Sequence, residues 1–189
     1  MNLVCFTEEK SAKEMLQVVL PKILPSNYCL SQIIPFEGKS DLDKQIEKKL
    51  KNYNTPDTVF LILRDQDNAI CTEIKNQLLK KIQSSGRENV SIVRIACHEL
   101  ESFYLGDLLA VEQAFGLDNI SKKQEKNKYK DPDNLSNAKQ ELKKLVSNYQ
   151  PISGSKLIAP CLNLGNNINK STSFNTLLSG VQKLCTTQL

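Results

Sequence analysis

The chain has 189 residues, of which 40% are hydrophobic and 24% are charged. This composition is ordinary for a globular protein and excludes wholesale disorder. The formal net charge of +4 is concentrated in residues 121–130, SKKQEKNKYK, which hold five lysines and one glutamate, while the other residues contain 20 basic and 20 acidic side chains. The balanced charge outside this segment argues against extensive contact with nucleic acid there.

The N-terminal sequence and the cysteines indicate where the protein is located and which metal ions it could bind. MNLVCFTEEK has no basic residue before its short apolar run, so it does not resemble a signal peptide, and no stretch approaches the roughly 18 apolar residues of a spanning helix. We therefore expect a cytoplasmic protein without membrane contact. The six cysteines are scattered without a C-x-x-C pair, which argues against zinc. Oxygen ligands would favour Mg²⁺ or Mn²⁺.

Apolar runs alternate with helical patterns over the first ~115 residues, and this order predicts an α/β fold. The four predicted strands are NLVCF at 2–6, LSQIIPF at 30–36, TVFLIL at 58–63 and VSIVRIA at 90–96. The third strand has no polar alternation, which is typical of a strand covered on both faces. We therefore predict a Rossmann-like parallel sheet of about four strands, with helices on both faces and a C-terminal helical extension.

The helical patterns divide the chain into three parts within one compact domain. An α/β core spans residues 1–118, a mobile basic loop spans 119–136, and a helical extension packed on the core spans 137–189. Within the core, Ser40 is the predicted N-cap of the second helix, with Asp43 three residues further on. Residues 99–116, ELESFYLGDLLAVEQAFG, are predicted as one helix that Gly116 ends.

Charged and polar residues follow all four predicted strands. Because ligands gather at the carboxyl ends of parallel strands, we expect these residues to share one edge of the sheet. They are Glu8 and Glu9 after the first strand, Glu37, Gly38, Lys39 and Ser40 after the second, Asp65 and Asp67 after the third, and His98, Glu99 and Glu101 after the fourth.

Two interpretations of these acids are open. Each acid precedes a predicted helix, and acids at helix N-termini are favoured by capping and by the helix dipole. Asp65 and Asp67 alternate in an extended segment, however, so both carboxylates could lie on one side of the strand and bracket one cation. The second acid of RDQD is not needed for a single cap, which favours the metal site. GKS at 38–40 is not a P-loop, because the required glycine is absent at position 33.

The spacing of the acids resembles the TOPRIM domain of topoisomerases, primases and OLD-type nucleases. Glu8 matches its glutamate after the first strand, and Asp65 with Asp67 matches its D-x-D; Glu9 stands where a glycine is common. The ordered segments TEEKSAKEML, PFEGKSDL, LRDQDNA, IACHELESFYLGD, KDPDN and SGSKLIAP are similar to a family of uncharacterised bacterial TOPRIM-like proteins. That family includes AriB, the effector of the PARIS anti-phage system.

The resemblance implies a magnesium-dependent nuclease that cleaves RNA, such as tRNA, or DNA as an effector of anti-phage defence. It implies an ABC/SMC-like ATPase partner, and we also expect a dimer. Glu8, Asp65 and Asp67 would bind the metal and carry catalysis, with Glu99 or Glu101 completing a second metal site and His98 acting as a base. Phosphate would be bound by Lys39, Arg64, Lys122, Lys123 and Lys126, with secondary roles for Glu9, Ser11, Gly38 and Ser40.

Two other functions are compatible with the same residues. One is a non-catalytic TOPRIM-like module that binds nucleic acid or a partner protein and keeps its acids for folding. The other is a metal-dependent phosphatase or phosphotransferase. A deep pocket over Asp65 would favour the phosphatase, and an open basic groove would favour the nuclease.

Overall fold

The computed structural model describes residues 1–187 and contains one parallel sheet of four strands in that range. The strands are β1 (Asn2–Thr7), β2 (Cys29–Pro35), β3 (Thr58–Asp65) and β4 (Ser91–Ala96). They lie in the order β2-β1-β3-β4, and every neighbouring pair is parallel. The predicted parallel α/β sheet is therefore confirmed, with β1 and β3 at its centre.

Helices surround the sheet on both faces. They are α1 (Lys10–Ile23), α2 (Lys39–Lys51), α3 (Cys71–Ser84), α4 (Glu101–Leu105), α5 (Leu108–Phe115), α6 (Asn127–Lys130), α7 (Ala138–Leu145), α8 (Pro151–Ile158) and α9 (Thr172–Thr187). None of the helices in residues 1–187 is long and apolar enough to cross a membrane.

The central strand β3 separates two hydrophobic cores. Its residues Val59, Leu61 and Leu63 pack with α1, α4, α5, α7, α8 and α9, whereas Phe60 and Ile62 pack with α2 and α3. Successive side chains of a strand point to opposite faces, so a strand with helices on both sides needs apolar residues at every position. This explains why TVFLIL lacks polar alternation.

The predicted helix over 99–116 is broken in the structure. α4 ends at Leu105, and α5 begins at Leu108 after Gly106 and Asp107. A Cβ on Gly106 would lie 1.9 Å from Asn169 Oδ1, so this close approach requires glycine. Asp107 is the N-cap of α5, since its carboxylate accepts a hydrogen bond from the Ala110 N–H at 3.1 Å.

The second helix also begins earlier than predicted. Gly38, with φ of 95°, is the N-cap of α2, and Ser40 lies inside the first turn with an exposed side chain. The prediction of Ser40 as the cap was therefore wrong. Asp43, its predicted partner, instead lies one turn into α2 and contacts Arg64 of β3.

Residues 119–136 form short helical turns, and part of this segment is packed against the core. The segment contains 3-10 turns at Ser121–Lys123 and Pro132–Asn134 and the short helix α6. Tyr129 is buried, and the Gln124 amide donates to the Leu105 carbonyl at 3.0 Å. The lysines at 122, 123 and 126 therefore lie on turns that Gln124 and Tyr129 anchor to the protein.

The cap of α5 provides a test of the break between α4 and α5. Asp107→Ala removes the bond to Ala110 and a second one from the Asn163 N–H at 2.8 Å. We expect a loss of about 1–2 kcal/mol in the free energy of unfolding, measured by urea denaturation. Asp118→Ala, at an exposed position, is the control and should stay within ~0.5 kcal/mol of the wild type. Equal stability of the two variants would contradict this account of the cap.

Candidate functional site

The carboxyl ends of β1 and β3 place two acids side by side. Glu8 follows β1, and Asp65 is the last residue of β3. The Glu8 Oε2 atom accepts a hydrogen bond from the Asp65 N–H at 3.3 Å, while the Glu8 N–H donates to the Leu63 carbonyl at 3.2 Å. Two of the three acids predicted as metal ligands are therefore adjacent, as the strand-end argument requires.

Alternation along β3 sends Arg64 and Asp65 to opposite faces of the sheet. Arg64 points toward α2, where its Nη1 lies 3.0 Å from Asp43 Oδ1. Asp65 points toward the α4 side, where its Oδ2 accepts the Leu100 N–H at 3.2 Å. The strand end thus places a cation and an acid one residue apart, with Glu8 beside both.

Glu101 adds a buried acid behind the half-buried residue Asp65. It is the first residue of α4 and is 4% exposed. The Tyr149 hydroxyl donates to Glu101 Oε1 at 3.0 Å. Nearby, the Tyr104 hydroxyl donates to Ser155 Oγ at 2.7 Å. Burial raises the pKa of both tyrosines, and the negative charge of Glu101 raises them further, so both hydroxyls stay protonated as donors.

The crowding of these acids changes their acidity. Burial, followed by the charge of Asp67, raises the pKa of Glu8 to about 7, although the Asp65 N–H and Arg64 act in the opposite direction. Burial and the charges of Glu8 and Glu101 raise the pKa of Asp65 well above its usual value. Burial also raises the pKa of Glu101. The site therefore resists carrying all its negative charges at once.

Two basic side chains contact the acids. Arg64 is buried, its Nε lies 3.7 Å from Glu8 Oε2, and this nitrogen has no hydrogen-bond partner within residues 1–187. Lys39, the first residue of α2, places Nζ 2.8 Å from Asp67 Oδ2. The hydrogen bond to Asp67 and its charge raise the pKa of Lys39. Two of the five residues predicted to bind phosphate, Lys39 and Arg64, therefore lie at the acids.

Asp67 and His98 lie on two loops that are bonded to each other. The Asp67 N–H donates to the His98 carbonyl at 2.7 Å, and His98 Nδ1 lies 2.9 Å from the Asp67 carbonyl oxygen. Both residues have positive φ, 52° and 58°, which is uncommon for residues with a side chain. The backbone contacts fix Asp67 at the edge of the site, with its carboxylate directed at Lys39.

The other predicted residues lie at different distances from this centre. Glu99 faces away, because its Oε2 accepts the Lys139 N–H of α7 at 2.8 Å. Glu9 is the N-cap residue of α1 and accepts the Ser11 hydroxyl at 3.3 Å, and the Gly38 N–H donates to the Glu8 carbonyl at 3.1 Å. No contact described for residues 1–187 brings Lys122, Lys123 or Lys126 to the acids.

Some residues of the site were not predicted from the sequence. Asp43 pairs with Arg64, the Leu100 N–H binds Asp65, and Tyr149 binds Glu101. Asp43 lies at the end of a strand-to-helix segment already rich in site residues, which was a usable signal. Tyr149 lies 48 residues from Glu101, between α7 and α8, and the packing of α4 against α7 brings the two residues close together.

The donor chemistry of the acids suits a hard divalent cation, but their present arrangement does not form a cage. In residues 1–187 no group of three or more His, Cys, Asp or Glu side chains is arranged to hold a metal ion. The four acids Glu8, Asp65, Asp67 and Glu101 outnumber the two cations Arg64 and Lys39 by two. A divalent cation would balance that excess with oxygen ligands, as Mg²⁺ and Mn²⁺ prefer.

The comparisons with known proteins give the family. Residues 7–182 match the model of the family described as "Domain of unknown function (DUF4276)". The match spans nearly the whole chain, and the chain belongs to this family. No curated protein and no solved structure matches it. The relation to TOPRIM-like proteins therefore stays a prediction from the sequence.

The raised pKa of Glu8 predicts how stability depends on pH. The folded protein keeps a proton on Glu8 up to about pH 7, whereas the unfolded chain loses it near pH 4.5, the ordinary pKa of a glutamate. Stability from this group is therefore full below about pH 4.5 and lost as pH rises through about 7. The Glu8→Gln variant has no carboxylate to ionise and does not lose this stability. The difference between its free energy of unfolding and that of the wild type should therefore increase by about 2 kcal/mol from pH 5 to pH 8.

Urea denaturation at the two pH values measures the effect. Asp118→Asn removes an exposed carboxylate outside the site and serves as the control, with a constant difference from the wild type expected. If the difference between Glu8→Gln and the wild type also stayed constant, the electrostatic account of Glu8 would fail.

Proposed function

We propose that this protein is a magnesium-dependent nuclease that hydrolyses phosphodiester bonds in RNA or DNA. The observation that carries the proposal is the adjacency of Glu8 and Asp65 at the carboxyl ends of the two central strands, with Arg64 against Glu8. Buried acids with raised pKa values at such a position are typical of functional sites.

Glu8, Asp65 and Asp67 are the residues that would hold the cation. When bound, Mg²⁺ would polarise the phosphoryl group and lower the pKa of a bound water. Asp67 has its carboxylate on Lys39 in this structure, 2.8 Å from Nζ. In the proposed bound state Lys39 leaves Asp67 to the cation, and its ammonium is then available to the substrate. Glu101, held by the Tyr149 hydroxyl, lies behind Asp65.

Arg64 supplies the contact to the substrate phosphate. Its Nε is buried without a hydrogen-bond partner among the described residues, although it lies within 3.7 Å of Glu8. A buried donor of a guanidinium is costly to leave unpaired, and a phosphate oxygen would satisfy it. Asp43 holds the other side of the guanidinium at 3.0 Å and fixes its orientation.

The resemblance to TOPRIM-like proteins extends the proposal to a biological role. It supports an effector of anti-phage defence that acts on RNA such as tRNA and that an ABC/SMC-like ATPase partner restrains. Membership of the DUF4276 family neither adds to nor removes from this role. The lysines at 122, 123 and 126 lie away from the acids, so we assign them to the flanking nucleic acid.

Cation binding is the first test of this proposal. Calorimetry with Mg²⁺ or Mn²⁺ should detect binding to the wild type, and Asp65→Asn and Asp67→Asn should weaken it by about tenfold or more, since each removes a charged ligand. Asp118→Asn, the same change at an exposed position outside the site, should bind as the wild type does. Absence of binding at millimolar concentrations, or equal binding by all variants, would contradict the metal site.

Nuclease activity is the second test. In the presence of Mg²⁺ the wild type should cleave tRNA, other single-stranded RNA or DNA, and Asp65→Asn should lower the rate roughly 100-fold or more, because charge stabilisation is lost at the reacting phosphate. Asp118→Asn should retain the rate. Activity that persists in Asp65→Asn would assign the cleavage to another site or to a contaminant.

A non-catalytic binding module is the second candidate. It is favoured by the contacts of the acids, since Asp65 accepts the Leu100 N–H, Glu99 accepts the Lys139 N–H, and Asp67 is paired with Lys39. These contacts resemble ordinary caps and ion pairs. This alternative expects Asp65→Asn to leave binding of nucleic acid or partner unchanged.

A further inference from the structure

A cavity of about 390 Å³ lies beside the acidic site, outside the groups assigned to catalysis. Its lining comes from the ends of β1 and β2 and from the first residues of α1, α2 and α8, namely Glu9, Lys10, Ser11, Phe36, Glu37, Gly38, Pro151 and Ile152. The volume is within the range of about 300–1,000 Å³ that is usual for small-molecule sites.

The cavity and the acidic site share a wall. Glu9 follows Glu8 directly, and Gly38 precedes Lys39. The Gly38 N–H also donates to the Glu8 carbonyl at 3.1 Å, so the backbone between the two spaces is bonded. A molecule in the cavity would therefore be one residue away from the group proposed to bind the scissile phosphate's cation.

The charge of the cavity is close to zero. Lys10 pairs with Glu37 at 3.3 Å, which leaves the carboxylate of Glu9 as the net charge of the lining side chains. The N-termini of α1 and α2 at the cavity contribute roughly half a positive charge each, which offsets that carboxylate. A second phosphate would gain little binding energy in a cavity without net charge. An uncharged polar group, in contrast, can form hydrogen bonds with both the donors and the acceptors of the lining.

One side of the cavity is apolar. Pro151 and Ile152 begin α8, and the Ile152 side chain is 45% exposed, while Phe36 is buried behind the opening. On the other side stand the carboxylates of Glu9 and Glu37 and the hydroxyl of Ser11, which can bond to amino and hydroxyl groups. A ligand with a flat apolar ring, polar groups at the ring edge and an attached sugar fits a cavity that has one apolar and one polar side.

We infer that the cavity binds one unpaired nucleoside of the substrate, next to the scissile phosphate. The inference rests on the proposed nuclease function and adds the class of substrate. A base in a duplex has its edge and both faces occupied, so it reaches a cavity of this kind only after it leaves the stack. The preferred substrate is therefore a single-stranded or looped nucleic acid, with the base against Ile152 and the sugar toward the glutamates.

The binding test uses nucleosides that carry no phosphate. Ligand-observed NMR with adenosine, guanosine, cytidine and uridine on the intact wild-type chain should detect binding by at least one of them. Ile152→Asn removes the apolar wall and should weaken that binding by about fivefold, equivalent to ~1 kcal/mol. Leu157→Asn is the matched control, because Leu157 lies on the same helix, is 48% exposed, and does not line the cavity. It should bind as the wild type does.

Three results would overturn the inference: absence of nucleoside binding at millimolar concentration, equal weakening by the two variants, or tighter binding of inorganic phosphate than of any nucleoside at the same cavity. The nuclease proposal is judged separately by Asp65→Asn. If the protein cleaves nucleic acid but does not bind nucleosides, only this inference is wrong. If the protein binds nucleosides through Ile152 but cleaves no nucleic acid, the cavity is a nucleoside site and the nuclease proposal is wrong.

Discussion

The burial of the Asp65 carboxylate between Glu8 and Glu101 is the constraint on which the site depends. Like charges in a buried place are unfavourable unless protons, cations or hydrogen bonds compensate them. The protein supplies the Leu100 N–H to Asp65, the Tyr149 hydroxyl to Glu101 and the Arg64 guanidinium to Glu8. The compensation is incomplete, since the pKa values of all three acids stay raised. Unfavourable buried charge of this kind is typical of functional sites, and we propose that its function here is to bind a cation.

Much of the fold could be predicted from local patterns. The apolar run of β3 required helices on both faces, and the strand–helix alternation implied parallel pairing. The break between α4 and α5 was missed because its apolar periodicity continues across Gly106. The cause of the break is tertiary: Asn169, 63 positions later, occupies the space where a side chain would be. The local signal was the Gly106–Asp107 pair, a glycine followed by a good N-cap residue.

Only those residues of the site that lie at the strand ends could be predicted from the sequence. Glu8, Asp65 and Arg64 share one edge because the sheet is parallel, whereas the directions of Glu99 and Glu101 depend on helices far along the chain. Glu99 binds α7 and Glu101 binds Tyr149, so the two acids face different parts of the protein. The basic segment at 121–130 dominates the net charge of the chain, yet its lysines lie apart from the acids that define the chemistry.

The central claim is that the strand-end acids form a cation site once Lys39 leaves Asp67. Crystals of the wild-type protein grown with Mn²⁺, with anomalous scattering recorded at the manganese edge, test it most directly. The account predicts a peak within about 2.5 Å of carboxylate oxygens of both Glu8 and Asp65, with the Lys39 ammonium displaced from Asp67. A peak elsewhere, or the same Lys39–Asp67 ion pair with no peak at millimolar Mn²⁺, would contradict it and leave these acids as structural groups.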